Sequence, residues 1–367
     1  MYLKPPLSSR LLTVESSQNR KTTTTDGGQL VSSNYGTTGH PLIETYSIVG
    51  RLISVVADHR TASELFDRQL LAWYFKRAEH HKQLHATIQV CDAPSPGLPT
   101  NLDWFELPSG GRCYTDWSTY HIVYDDSLVT VGCGAPSLVK VWTGCASASR
   151  TVAARSRLVS NAVAAAVRRC GLYDLHGACV VEPASHQGVL FIGPSGSAKS
   201  TLAAQLANCG WGYLSDDSLL LYEDRTISRV HALRRAFSLT SETVYAGGVG
   251  RFIPALNGRA PLDPSKQMFD PGDVVPDGFA ESIAPSLIVF PRVSERSSTQ
   301  ARSFTRQQAM SSLIRLCPWA TYDRIAAPGY LQALSHLVRR CAAYTLDLGT
   351  DLFGDAAATA EFVAELL

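Results

Sequence analysis

The sequence predicts an α/β protein with a P-loop nucleotide-binding core and a smaller β-rich domain ahead of it. Three observations carry that expectation. Residues Gly188–Thr201 read Gly-Val-Leu-Phe-Ile-Gly-Pro-Ser-Gly-Ser-Ala-Lys-Ser-Thr, a short apolar strand, a glycine-bearing loop and the start of a helix. Soon after, Tyr213-Leu-Ser-Asp-Asp217 puts two adjacent carboxylates at the end of the next expected strand. Upstream, residues 42–149 alternate short β-prone pieces with turn signals.

A chain of 367 residues, 45% apolar, is long enough for two domains or one large domain with an added segment. A formal net charge of +1 gives no electrostatic basis for binding nucleic acid or a membrane surface, so neither is expected as a partner. No apolar run approaches the roughly 18 residues of a membrane span. Lys4, Pro5 and Pro6 are followed by no apolar leader, so export is not expected. The nine cysteines are odd in number, scattered and without a CxxC pair. That usage points to a reduced, cytoplasmic protein, with Cys179 and Cys209 read as small buried hydrophobes.

In chain order, residues 1–41 are rich in Ser and Thr, as in Thr22-Thr-Thr-Thr25, and read as a mobile arm with little to bury. Strands are expected at 48–49, 52–56, 86–90, 120–124 and 128–131, with turns at Pro94–Gly97 and Ser109–Gly111 and a helix over 62–77. These make the β-rich domain, 42–149. Apolar residues at helical spacing predict a helix over 150–171 with Gly171 as its stop, leading the core of 150–367. Within that core, strands are expected at 177–181, 188–192, 212–214, 219–222 and 287–290, and helices at 199–209, 329–342 and 355–366. There is no internal repeat. His81 and His85 would share a helical face beside His80, but Glu79 is the sole acidic neighbour, so the cluster reads as a solvated helix rather than a metal site.

The loop Gly193-Pro194-Ser195-Gly196-Ser197-Ala198-Lys199-Ser200, with Thr201, is the candidate phosphate cradle. Backbone N–H groups at a helix start favour anions, Lys199 adds a point cation, and the Ser200 hydroxyl suits Mg²⁺. Ala198 stands where the strict pattern has glycine. In a helical conformation its methyl group is tolerable, whereas a positive φ brings strain of about a kcal/mol or more. A right-handed crossover would bring Asp216 and Asp217 beside this loop. One carboxylate can hold the metal and the other can take a proton from an attacking hydroxyl. Asp217 is grouped with Ser200 on the metal, though the two roles within the pair stay open. Arg234, Arg235, Arg251 and Lys266 are candidates to complete a phosphate clamp, with Gly247–Gly250 read as a mobile loop.

Leu175-His176-Gly177, the loop Gly193–Thr201 and Ser215-Asp216-Asp217, in this order and closeness, resemble the catalytic domain of the HPr serine kinase/phosphorylase family. They are closest to the HPr-kinase-like proteins of peptide-modification gene clusters, including lasso-peptide precursor kinases. Those proteins also carry a β-rich amino-terminal segment, and phosphoenolpyruvate carboxykinases share the core more distantly. The resemblance is specific over about 174–222 and looser over about 42–350. It implies a fold of HPr-kinase/PEP-carboxykinase type and an active site of His176, Lys199, Ser200, Asp216 and Asp217, and it favours Lys266 among the basic candidates. HPr kinases form hexamers, but the sequence shows no recognisable interface, so a homo-oligomer, a smaller assembly and a monomer all stay open here. Two residues depart from the pattern: Ala198 replaces the usual glycine, and Thr201 stands where HPr kinases carry an acidic residue.

Residues and resemblance together lead to an ATP- and Mg²⁺-dependent kinase acting on a hydroxyl, with a serine of a peptide or small protein, such as a precursor peptide, as acceptor. Two alternatives keep the same loop: a kinase for a small hydroxylated metabolite, and a non-catalytic nucleotide-binding regulator, which Ala198 favours.

Overall fold

The computed structural model describes residues 40–367 except 59, 80–82, 92, 108–110, 125–126, 133–136, 144–151, 235–236, 247–265, 270–277 and 279. The expected arm before residue 40, His80, His81, Arg235, Arg251 and Gly247–Gly250 lie outside the described residues. Residues 39–367 form one compact unit.

The first sheet is built from β1 (Leu42–Ile48), β2 (Arg51–Ala57), the helix α1 (Arg60–Ala72), β3 (Lys76–Arg77), β4 (Ala86–Cys91), β5 (Asp103–Glu106), β6 (Arg112–Thr115), β7 (Tyr120–Tyr124), β8 (Ser127–Val131) and β9 (Ser137–Trp142). Its nine strands lie in the order β3-β1-β2-β4-β9-β8-β7-β6-β5, with β4 parallel to both β2 and β9 and the other pairs antiparallel. The strand expected at 48–49 is instead the end of β1 and a two-residue hairpin turn. Val49 and Gly50 have φ of 49° and 69°, the left-handed pair that matches strand twist. The helix expected to reach residue 77 ends at Ala72. There the chain turns back to pair: Trp73 bridges Arg234, and Tyr74 N–H donates to Leu233 O at 3.1 Å. His85 is not helical. Its Nδ1 accepts from Leu52 N–H at 3.1 Å, and burial, then the Arg51 charge, lowers its proton affinity, so it fastens β2 to the start of β4.

Next comes α2 (Val152–Arg169), whose buried Leu158, Val159, Ala162, Val163, Ala166 and Val167 pack on β4, β8 and β9 and on β10 of the second sheet (Tyr173–Val181). Gly171, with φ of 75°, ends the helix as expected, and Leu172 N–H returns to Val167 O at 3.0 Å.

The remaining elements are β11 (Gly188–Ile192), α3 (Lys199–Asn208), β12 (Gly212–Ser215), β13 (Ser218–Asp224), β14 (Ile227–Ala232), β15 (Phe237–Thr240), α4 (Ser241–Ala246), β16 (Lys266–Phe269), β17 (Ser282–Ile283), β18 (Pro285–Val293), β19 (Gln300–Ser303), α5 (Arg306–Leu316), α6 (Trp319–Tyr322), α7 (Ala327–Arg340), β20 (Ala342–Leu348) and α8 (Ala356–Ala364). The second sheet runs β17-β14-β13-β10-β11-β18-β20-β19, with β12 also on β10. It is mixed: β11, β18 and β20 are parallel neighbours, whereas β10 is antiparallel to β11. Strand side chains alternate between faces. Ala178, Val180, Val189, Phe191, Leu287 and Val289 meet Leu202 and Leu206 of α3 and Val363 of α8. Cys179, Leu190, Ile192 and Ile288 belong to the other cluster, which continues through α2 and α7 into the first sheet. The protein is an α/β fold with mixed sheets. Cys179 is buried, but Cys209, expected to be buried, is exposed at the end of α3. Among the described residues no helix is long and apolar enough to cross a membrane.

Candidate active site

The loop after β11 and the carboxylates after β12 meet at one edge of the second sheet. The crossover through α3 does not lead to a neighbouring strand, because β10 stands between β11 and β12 and is antiparallel to both. The two flanking strands therefore run in the same direction and end at the same edge. Ser200 Oγ donates to Asp216 O across the gap at 3.2 Å. His176 lies inside β10, which begins at Tyr173 rather than at the expected Gly177, and it pairs with Ser218. That register brings His176 Nδ1 to 3.0 Å from Asp217 Oδ1. The next residue must be small: a Cβ on Gly177 would come within 2.5 Å of Ile192 Cδ1 and 2.8 Å of Phe191 O.

The loop itself takes the strained alternative. Ala198 is left-handed, φ 69° and ψ 15°, and immediately precedes α3. An L-residue with a side chain pays about 1–2 kcal/mol there. Lys199 is 5% exposed, and its Nζ donates to Pro194 O at 2.8 Å, so the cation folds back over its own loop. Ser197 Oγ is buried without a hydrogen-bond partner. A Cβ at Gly193 would stand 2.6 Å from that oxygen, so the loop closes around it only with glycine there.

The two carboxylates have different surroundings. Asp216 is 2% exposed; Tyr213 OH donates to its Oδ1 and Ser238 N–H to its Oδ2, each at 3.1 Å. Burial, then the neighbouring charge of Asp217, pushes its carboxyl up to about 7. Asp217 takes Arg234 Nη1 at 2.9 Å and Ser218 Oγ at 3.1 Å on Oδ2, leaving His176 beside Oδ1. Arg234, expected among the basic residues of a phosphate clamp, thus pairs with a carboxylate.

A cavity of about 490 Å³ opens here. Its walls include Ser195 to Thr201, His176 and Asp217 on one side, and Ser238, Thr240, Glu242 and Thr243 on another. Gly193, Pro194 and Asp216 are not among the wall residues. Thr201 Oγ1 reaches Thr243 Oγ1 at 3.4 Å, which also accepts from Thr240 Oγ1 at 3.0 Å, so these hydroxyls link α3 to β15 and α4. Lys266 pairs along the backbone with Thr240, which places its strand next to the cavity wall. The mouth carries Val293 and Phe353, two large apolar side chains that are 57% and 45% exposed.

The donor set suits a nucleotide and magnesium. An orphaned Ser197 hydroxyl, a lysine, a serine hydroxyl and one wall carboxylate match phosphate oxygens and a hard cation. Among the described residues no group of three or more His, Cys, Asp or Glu is arranged to hold a metal. Magnesium bound through one or two carboxylates together with phosphate oxygens needs no such cage.

Tyr213, Ser218, Ser238, Thr240, Thr243, Val293, Phe353 and Trp73 were not singled out from the sequence. Ser218 directly follows the Asp pair and Tyr213 precedes it by three, which is a local signal. The others are remote in sequence and left none.

No protein-family model matches the chain, and no curated protein matches it. Among solved structures, it is similar to the Hpr(Ser) kinase/phosphatase from Coxiella burnetii, with a TM-score of 0.29 and 10% identity, over 53% of this chain and 96% of that one. The likeness is a weak, partial resemblance of fold.

Proposed function

We propose that this protein is an ATP- and Mg²⁺-dependent kinase that phosphorylates a hydroxyl, the acceptor being a serine of a peptide or small protein. One observation carries the reading: Lys199, Ser200, His176 and Asp217 share the wall of a single cavity. Bound MgATP would supply the phosphoryl group and a cation to neutralise charge on the phosphates. The loop amides and Lys199 would hold the phosphates, with Lys199 leaving Pro194 O to do so. Ser200 Oγ would face the metal. Asp217 would take the proton of the acceptor hydroxyl from the cavity wall, with His176 and Arg234 fixing the carboxylate's orientation. Asp216 would back that carboxylate from behind the wall, and Lys266 would reach the phosphates from β16. The peptide acceptor rests on the resemblance of Leu175–Gly177, Gly193–Thr201 and Ser215–Asp217 to peptide-cluster kinases, and the first sheet would be its contact surface. This chemistry belongs in the cytoplasm, and a homo-oligomer fits the same resemblance.

The test is transfer from γ-labelled ATP with Mg²⁺ to precursor peptides encoded beside the gene, comparing the native protein with Lys199→Ala and Asp217→Asn. Label on a peptide serine that falls about 10²–10⁴-fold in Asp217→Asn supports the reading. Mn²⁺ affinity in the presence of ADP then separates the two roles of Asp217. Retained affinity assigns it to the proton, and lost affinity assigns it to the metal beside Ser200. Nucleotide binding without transfer to any peptide overturns the peptide acceptor and directs attention to metabolites or to a regulatory role.

A further inference from the structure

We infer that the segment before the nucleotide core reaches into the active site through Trp73, a positioning residue that holds Arg234 on Asp217. The effect on rate rests on the kinase reading above; the geometry does not. Arg234 Nη1 donates to Asp217 Oδ2 at 2.9 Å, while its guanidinium carbon lies 5.7 Å from the centre of the Trp73 ring. Arg234 Nε is buried without a hydrogen-bond partner. That atom has lost water that no hydrogen bond replaces, while the side chain as a whole keeps 27% of its surface exposed, and a further attraction offsets the loss. The face of an indole provides one, and the attraction strengthens as both groups are desolvated; Trp73 is 4% exposed.

A second route runs through the backbone. Trp73 and Arg234 form an isolated antiparallel bridge. Tyr74 N–H donates to Leu233 O at 3.1 Å, Leu233 N–H donates to Ser218 O at 3.0 Å, and Ser218 Oγ donates to Asp217 Oδ2 at 3.1 Å. These two described donors on that carboxylate oxygen are therefore tied to the turn after α1. Its other oxygen is left beside His176. The turn after α1, far from the loop in sequence, thus sets which way the carboxylate faces the cavity.

The experiment compares Trp73→Phe, which keeps an aromatic face, with Trp73→Leu, which keeps apolar bulk alone, and combines the latter with Arg234→Gln. Trp73→Leu should lower kcat about tenfold, with the KM for ATP moving less than about twofold, as expected for a residue felt at the reacting centre rather than in binding. Trp73→Phe should restore most of the rate. The double variant should be no slower than Arg234→Gln alone, because residues acting through one another do not add. Independently of turnover, the Arg234 Nε–H proton resonance, assigned by its loss in Arg234→Gln, should be protected from solvent in the native protein and in Trp73→Phe and exchange rapidly in Trp73→Leu. Additive losses, or unchanged Nε–H protection in Trp73→Leu, overturn the inference. If the native protein shows no turnover, the kinase reading fails while the resonance still decides the geometry. Should Trp73→Leu not fold, Trp73→Met fills the same space flexibly and carries the same comparisons.

Discussion

Asp216 sits where burial and the adjacent Asp217 push its carboxyl up to about 7, against 3.8 for an ordinary aspartate. Between about pH 4 and pH 7 the native protein therefore keeps a proton that the unfolded chain has released. Stability falls as pH rises through that window, the reverse of a salt-bridged aspartate, and the cost is complete above about 7. A gap of about three pH units at about 1.4 kcal/mol each puts that cost on the order of 4 kcal/mol. Asp216→Asn should remove it while keeping both contacts. The amide oxygen can accept from Ser238 N–H, and the amide nitrogen can donate to Tyr213 OH, whose hydrogen rotates away. Urea denaturation at pH 4.5, 6 and 8, without nucleotide or metal, should show the native protein losing stability relative to Asp216→Asn as pH rises, with a gap of a few kcal/mol at pH 8. Parallel pH profiles, or a variant less stable than the native protein at pH 8, would refute the reasoning.

Other outcomes follow from the same geometry. Ala198→Gly should stabilise the protein by about 0.5–1 kcal/mol, since the left-handed penalty of about 1–2 kcal/mol exceeds the roughly 0.4–1 kcal/mol that glycine adds to the freedom of the unfolded chain; a lower urea midpoint would contradict the strain assigned to that residue. Arg168 is fully buried, 2.7 Å from Asp174 and 3.7 Å from Asp323, and 4.3 Å from the Trp319 ring. Arg168→Met should cost about 1.5–3 kcal/mol, because Asp174 loses a charged hydrogen bond while Asp323 keeps Arg169 at 3.0 Å, and a loss below about 0.5 kcal/mol would show that the pair is dispensable.

What could be read from the sequence was local. Five consecutive apolar residues, Gly188–Ile192, gave β11, because a strand buried on both faces carries no polar residue to confuse its period. Gly171 marked the end of α2 because the position needs a left-handed residue. Other features depended on partners far along the chain. β20 and β19 were not anticipated, since Ala342–Leu348 runs straight on from a helix and is defined by its pairing with β18. Val49 looked like a strand residue by its branching, yet the hairpin put it at positive φ. At the site, His176, the loop and the Asp pair were legible as motifs, whereas the conformation of Ala198, the separate environments of Asp216 and Asp217, and the approach of the Trp73 ring to Arg234 arise only from tertiary packing.

The apolar cluster that runs from Tyr46, Ile53 and Ile88 through α2 to Ile192, Ile288 and Tyr330 has a consequence for how the molecule comes apart. Neither sheet owns the inner face of α2, so loosening one strips solvent protection from the other. Heating should then give a single calorimetric transition with matching enthalpies, and the slowest-exchanging amides of β4 and β11 should open with the same free energy. A cleavage within the first sheet would be felt at the loop Gly193–Ala198, although no bond there had been touched.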